Sequence, residues 1–337
     1  MLRIERNVRE VPVETPGQLP KAVLGSMEPL VLRGLAGHWP VVQAACDSPA
    51  AVEAYLRRFY GDEPVNAVYG QPGQNGRLFY NDDLSGFNFQ AARARLDKVI
   101  DDIRGQSHAE QPAGIYVGST SVDSVLPGFR SENDIELDGL DPMVFIWLGN
   151  RSRIAAHFDL PDNLACCAAG RRRFTLFPPA EIANLYPGPI DFTPAGQTIS
   201  MVDFAEPDFE RFPRFGKALE SAQLAELEPG DAVYVPSMWW HHVEGLDSLN
   251  VLVNYWWRSV PAYMDTPANV LEYALLAIRD LPKAQREAWR AIFDFYVFDF
   301  EDDSIGHIPE SRRGVLAPMD EMTARRLRAQ LLKKINR

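Results

Sequence analysis

Cysteine is scarce in this chain. Its three residues, Cys46, Cys166 and Cys167, are too few for a disulfide framework, and adjacent cysteines rarely bridge each other. Reduced thiols in a cytoplasmic protein are the expectation. No apolar run approaches the ~18 residues that a membrane-spanning helix needs. The opening MLRIERNVREVPVETPG lacks the apolar centre of a secretory signal, so no membrane association is expected. Positive charge is in deficit too: the formal net charge of −12 argues against a protein built to hold nucleic-acid phosphate. Lysine is missing over a long interval, from Lys98 to Lys217. What remains is ordinary for a globular protein. The 337 residues, 46% hydrophobic and 24% charged, suffice for one large domain or two modest ones.

Along the chain, Gly17 to Pro20 reads as the start of a short helix and Glu28 to Leu35 as a strand. Ser48 is placed to cap a helix with Pro49 at its first position. Gly70 to Gly86, rich in Gly, Asn and Asp, predicts a loop or hairpin. From Phe89 to Arg104 the apolar set Phe89, Ala92, Leu96, Val99 and Ile103 recurs at helical spacing and predicts a helix packed on a sheet. Beyond Ala113 the texture changes to short strand-like runs separated by turn residues, among them MVFIWLG, RIAAHFD, NLACC, RFTLF, DAVYVP and LNVLVNYWW. In Glu228-Pro-Gly-Asp, proline presets φ and glycine accepts a left-handed corner. Many short strands at close spacing predict a jelly-roll or barrel. Past Pro261 three helices are expected: Thr266 to about Leu281, Lys283 to Phe298, and Glu321 to Ile335. The fold class is thus mainly β with flanking helices.

The chemistry centres on His157-Phe158-Asp159. On a strand, the first and third residues of that triplet point the same way. An imidazole and a carboxylate on one face make two-thirds of a 2-His-1-carboxylate metal site. The later run AVYVPSMWWHHVEGL offers His241 as the second imidazole. Strand alternation turns the neighbouring His242 to the other face, and it stands as the alternative ligand. A bare HxD is too short to separate a metal site from two structural histidines. The surrounding residues decide.

The run HFDLPDNLACCAAGRRRFTLFPP, followed by GDAVYVPSMWWHHVEGL and VLVNYWW, resembles the cupin-like JmjC family of Fe(II)/2-oxoglutarate-dependent oxygenases. It is closest in motif to the branch of the asparaginyl hydroxylase acting on hypoxia-inducible factor. The stretch EPLVLRGLAGHWPVV resembles that family's N-terminal strand and turn, so the likeness runs from about residue 28 to 260. It implies a double-stranded β-helix (jelly-roll, cupin/JmjC-like) core plus C-terminal helices, with Fe(II), 2-oxoglutarate and O2 as cofactor and cosubstrates. His157 and Asp159 match the metal-binding HxD and His241 the distal ligand. Asn163 and Asn254 match asparagines lining the cosubstrate pocket, and Tyr116 a tyrosine contacting its far carboxylate. Trp256 stands where the family places an aromatic over the site. Two positions depart. Arg172 stands where a lysine usually pairs with the far carboxylate, and Ile154 replaces a threonine found in some relatives.

The resemblance implies an oxygenase that hydroxylates a C–H bond, with a protein side chain as substrate and a small molecule or modified nucleoside as runner-up. The two departures motivate alternatives: a metal-binding cupin-like regulatory protein without 2-oxoglutarate turnover, or a metal cupin enzyme that never uses 2-oxoglutarate. Residues 1–262 are expected to form the cupin-like domain and 263–337 a helical segment that supports a homodimer. Substrate contacts are expected from Gly70 to Gly86 and Val122 to Asp141.

Overall fold

The structure, a computed structural model, describes residues 2–336. The chain divides into two compact units, Met1–Ser259 and Val260–Arg337. Among the described residues there are fifteen strands. The first seven are β1 (Arg6–Asn7), β2 (Arg9–Glu10), β3 (Leu30–Leu32), β4 (Val65–Gly70), β5 (Arg77–Leu78), β6 (Phe89–Ala94) and β7 (Ile115–Ser121). Next come β8 (Met143–Gly149), β9 (Arg153–His157), β10 (Asp162–Ala169) and β11 (Arg172–Phe177). The last four are β12 (Gln223–Leu227), β13 (Ala232–Val235), β14 (Trp240–Gly245) and β15 (Asn250–Trp257).

They form two sheets. The larger runs β2-β3-β13-β10-β15-β8-β7-β4-β6 and the smaller β1-β12-β11-β14-β9-β5. At their centres lie two facing quartets, β13-β10-β15-β8 and β12-β11-β14-β9, between which the chain passes repeatedly. That is a double-stranded β-helix, the jelly-roll the sequence pointed to.

Alternation along β10 and β15 builds two cores at once. Leu164, Cys166 and Ala168 join Val251, Val253 and Tyr255 on the outer face, under the helices α1 (Pro40–Asp47), α2 (Pro49–Phe59) and α3 (Leu96–Gly105). Ala165, Cys167 and Leu252 face inward and meet Phe174, Leu176 and Val243 of the opposite sheet. Being apolar on both faces, these strands read as continuous hydrophobic runs. Each fully buried side chain of this size contributes about 1.5–3 kcal/mol. Outside the smaller sheet, Phe177 and Trp240 pack on Phe215 and Ala218 of a short helix, Phe215–Ser221.

Several local signals behave as read. Ser48 Oγ accepts from the Ala51 amide ahead of α2, with Pro49 first in the helix. Gly230 takes φ +98° in the Glu228–Asp231 turn. In the second unit, Thr266 caps the helix Pro267–Ala277, Lys283–Phe293 is a second helix, and Asp320 caps the third, Glu321–Ile335.

Others do not. Phe89–Ala94 is strand β6, not the first half of a helix. It pairs antiparallel with β4 at the sheet edge, and the helix starts only at Leu96. The apolar spacing there was coincidental, and sheet pairing outweighed it. Gly17 to Pro20 is not helical: Gly17 lies in a turn at φ +89° and Gln18 forms a β-bridge with Glu136. The helix from Lys283 ends at Phe293, and Asp294–Phe298 forms one wider π turn. Strand β9 ends at His157, so Asp159 lies just beyond it rather than on it.

Candidate metal centre

His157 and His241 meet across neighbouring strands. They are paired in the β9–β14 register, with ring centroids 4.3 Å apart. A register shift in the same pair, between His241 and Val243, leaves both Ile154 and His157 directed between the sheets. Asp159 joins from the loop after β9. Its position is held by the Met238 amide donating to the Asp159 carbonyl at 2.8 Å, with Met238 itself at φ +69°. One ligand atom from each of the three residues lies within 4.8 Å of the others.

Hydrogen bonds fix which atoms point inward. Nδ1 of His157 is 2.9 Å from the Ala155 carbonyl, and Nδ1 of His241 is 3.0 Å from the Trp239 carbonyl. A carbonyl only accepts, so each Nδ1 carries the proton and each Nε2 keeps a lone pair for a cation. Burial, reinforced by the neighbouring His241, lowers the His157 pKa to about 4, so its imidazole is neutral at pH 7. Burial alone would push the Asp159 carboxyl up. The adjacent imidazoles of His241 and His157, with the hydrogen bond from Gln197, hold it below its usual value instead. Gln197 Nε2 donates to Asp159 Oδ1 at 3.0 Å, leaving Oδ2 toward His241. Two imidazoles, each with Nδ1 bonded to a carbonyl and Nε2 facing the centre, and one carboxylate form a donor set that fits a divalent transition metal.

His242 turns the other way. Its ring lies 4.6 Å from that of Phe204, in the core outside the smaller sheet, so it is not a ligand in this arrangement.

Further along the barrel interior from the triad lies a buried arginine. Leu176 pairs with His241, and Arg172 sits four residues further along β11, about 13 Å of strand. Arg172 is 1% exposed, and its Nε and Nη2 have no hydrogen-bond partner among the described residues. Burial lowers its pKa, opposed by the nearby Tyr116 hydroxyl, and burial pushes Tyr116 up to about 12. Arg171 and Arg173 instead reach acids: Asp247 for the first, Glu226 and Glu244 for the second.

The wall between mouth and floor comes from the larger sheet. Asn254 donates to Asn163 Oδ1 at 2.8 Å, and its own Oδ1 is left without a partner among the described residues. Trp256 is directly opposite Asn163 in the register, 5.2 Å from Phe145 and 5.9 Å from Trp147 between ring centroids. The indole nitrogens of Trp147 and Trp256 are both buried and unpartnered among the described residues.

Gly70 to Gly86 does adjoin this mouth. Arg77 and Leu78 pair with β9, and Phe79 and Tyr80 pack on Ala155 and Ile199. Val122 to Asp141 does not. Val122, Val125, Leu126, Phe129 and Ile135 are core under the helices, on the outer face of the larger sheet, because they are apolar and that face needs covering. Gln197 and Trp147 are the residues that sequence reasoning missed. Trp147 could have been found, since alternation along MVFIWLG puts it on one face with Phe145. Gln197 lies in an irregular segment with no periodic signal.

A jelly-roll barrel with two imidazoles and a carboxylate converging at its mouth is the arrangement of a cupin. The family described as cupin-like domain matches residues 16–263, and the chain belongs to it. The chain is 35% identical over 268 residues to lysine-specific demethylase JMJ31 of Arabidopsis thaliana, covering 71% of this chain and 48% of that protein. It is 29% identical over 233 residues to lysine-specific demethylase 8 of Xenopus tropicalis, covering 68% and 48%. With tRNA wybutosine-synthesizing protein 5 of Gallus gallus it shares 30% over 146 residues, 39% and 43%. The chain therefore matches about half the length of these curated relatives.

Proposed function

We propose that this protein is an Fe(II)- and 2-oxoglutarate-dependent oxygenase that hydroxylates a C–H bond. Arg172 carries the reading. A guanidinium buried without a counter-ion costs several kcal/mol, and the triad above it offers only acceptors. The barrel interior thus calls for a cation at the triad and a carboxylate at Arg172. A five-carbon 2-oxo diacid supplies that carboxylate and a 2-oxo acid end for the metal. Arginine's planar fork binds a carboxylate bidentately, so its replacement of the usual lysine is chemically adequate.

His157, Asp159 and His241 would hold the iron, which when bound activates O2 and couples 2-oxoglutarate decarboxylation to succinate and CO2 with conversion of C–H to C–OH. The chain's own residues do the rest. Gln197 orients the carboxylate of Asp159. Arg172 and Tyr116 anchor the cosubstrate tail, Asn163 and Asn254 line its path, and Trp256 shields the mouth from water. No side chain is required as a general acid or base.

The names of the relatives point to lysine side chains and to tRNA, which supports a macromolecular substrate. A protein side chain is the favoured class, with a small molecule or modified nucleoside second. Removal of an N-methyl group also begins with hydroxylation of its carbon, so this chemistry serves a hydroxylase or a demethylase. The test is to load the protein with iron, add 2-oxoglutarate and follow succinate. Absence of succinate, together with absence of 2-oxoglutarate binding by calorimetry, rejects the proposal.

The second unit is proposed to form a homodimer. The helices Pro267–Ala277 and Lys283–Phe293 bury none of their residues, and Leu271, Leu276, Trp289 and Phe298 are exposed. Sedimentation of a chain ending before Thr266 tests this, since an unchanged dimer would rule the segment out. Cys46, Cys166 and Cys167 are unpaired, in keeping with a cytoplasmic setting.

A further inference from the structure

We infer that Trp147 is a positioning residue for the distal carboxylate of the cosubstrate, donating its indole N–H beside Arg172 and Tyr116. This rests on the oxygenase reading and deepens it. Trp147 belongs to the barrel floor: it pairs with Leu252, which pairs in turn with Cys167, and Cys167 lies within the influence of the Arg172 charge. Tyr116 is on the adjacent strand, its ring centroid 6.0 Å from that of Trp147.

The orientation of the indole is set by a glycine. A Cβ on Gly118 would lie 2.9 Å from Cζ3 and 3.1 Å from Cε3 of Trp147, and 3.2 Å from Cε1 of Tyr116. Those two indole atoms belong to the ring edge opposite the N–H. The missing side chain therefore lets the ring lie against β7 and turns the N–H away from that strand. There it is buried and has no partner among the described residues.

A carboxylate accepts about four hydrogen bonds. Nε and Nη2 of Arg172, the Tyr116 hydroxyl and the Trp147 N–H make up such a set, while Ile154, which lacks a polar group, adds nothing. Without the indole, one acceptor site of a buried carboxylate would go unfilled, and that is costly in a dry floor. The competing account is a buried water on the indole nitrogen.

The experiment compares 2-oxoglutarate with 2-oxopentanoate, which has a methyl group in place of the distal carboxylate. Each is titrated by calorimetry into the Mn(II)-loaded protein and its Trp147→Phe and Gly118→Ala variants, with bound Mn(II) counted as a check on the fold. Trp147→Phe should bind 2-oxoglutarate about tenfold more weakly and 2-oxopentanoate equally well. Gly118→Ala should act in the same direction, because the added methyl displaces both aromatic rings. Equal weakening toward both ligands, or none, overturns the role of Trp147. If the unmodified protein itself does not prefer the diacid, the oxygenase reading falls and this inference with it.

Discussion

Nε2 of His241 stands 3.5 Å from Oδ2 of Asp159, and both side chains are buried. With Nδ1 of His241 committed to the Trp239 carbonyl, the facing atoms are both acceptors and only a positive charge reconciles them. Adding Mn(II), or Fe(II) without oxygen, should therefore stabilise the fold. At a hundred times Kd the gain is about 2.7 kcal/mol, or about 4–5 °C in Tm for a chain of this size. His157→Ala, Asp159→Ala and His241→Ala should each lose the shift and the stoichiometric metal, while His242→Ala keeps both. Metal retained by His241→Ala would refute the ligand assignment.

Gln197 touches the centre only through Asp159, by the 3.0 Å bond to Oδ1. Partners of this kind orient a ligand and sharpen its basicity, and losing one typically costs about 10- to 100-fold in metal affinity. Gln197→Ala should show a loss of that size in chelator competition, with unfolding of the metal-free protein little changed. An unaltered metal Kd would mark the contact as incidental.

The legible parts of this chain were those where one strand carries its own pattern. Residues 143–149 read as a strand to the residue, and His241 and His242 were sorted to opposite faces by alternation alone. Arg172 could be flagged as a departure, but its burial depends on the distant partners Gly245 and Leu227, which no local window contains. Phe89–Ala94 misled because a helical spacing of apolar residues was overridden by pairing with β4. Asp159 was placed on the right face for an incomplete reason, since the loop geometry held by Met238, not the strand, sets its position.

Arg172 should be a stability cost in the free protein. Its charge is 1% exposed and two of its nitrogens find no acceptor among the described residues. Arg172→Met keeps an unbranched apolar stem and removes the charge, so the metal-free protein should gain about 1–4 kcal/mol, read as a higher urea midpoint. The same variant should lose its preference for 2-oxoglutarate over 2-oxopentanoate. Arg172→Lys should keep the charge but bind the diacid more weakly, because an ammonium lacks the planar fork. A lower urea midpoint for Arg172→Met would show that the guanidinium is already satisfied before any ligand arrives.

His242 makes the metal-free fold sensitive to acid. Burial, with a smaller contribution from Arg153, lowers its pKa from 6.5 to about 3. Between those values the unfolded chain takes up a proton that the folded chain refuses. The stabilising contribution is thus complete above pH 6.5 and declines as pH falls toward 3, at up to about 1.4 kcal/mol per pH unit. His157 titrates in the same direction, so the contribution of His242 appears as a difference between proteins. His242→Leu should match the unmodified chain or exceed it at pH 7.5, because both ring nitrogens of His242 lack partners among the described residues. Between pH 6 and pH 4 its urea midpoint should fall less steeply. Parallel slopes would mean that His242 gains its proton in the folded state as readily as in the unfolded one, and that its ring reaches water despite the packing on Phe204.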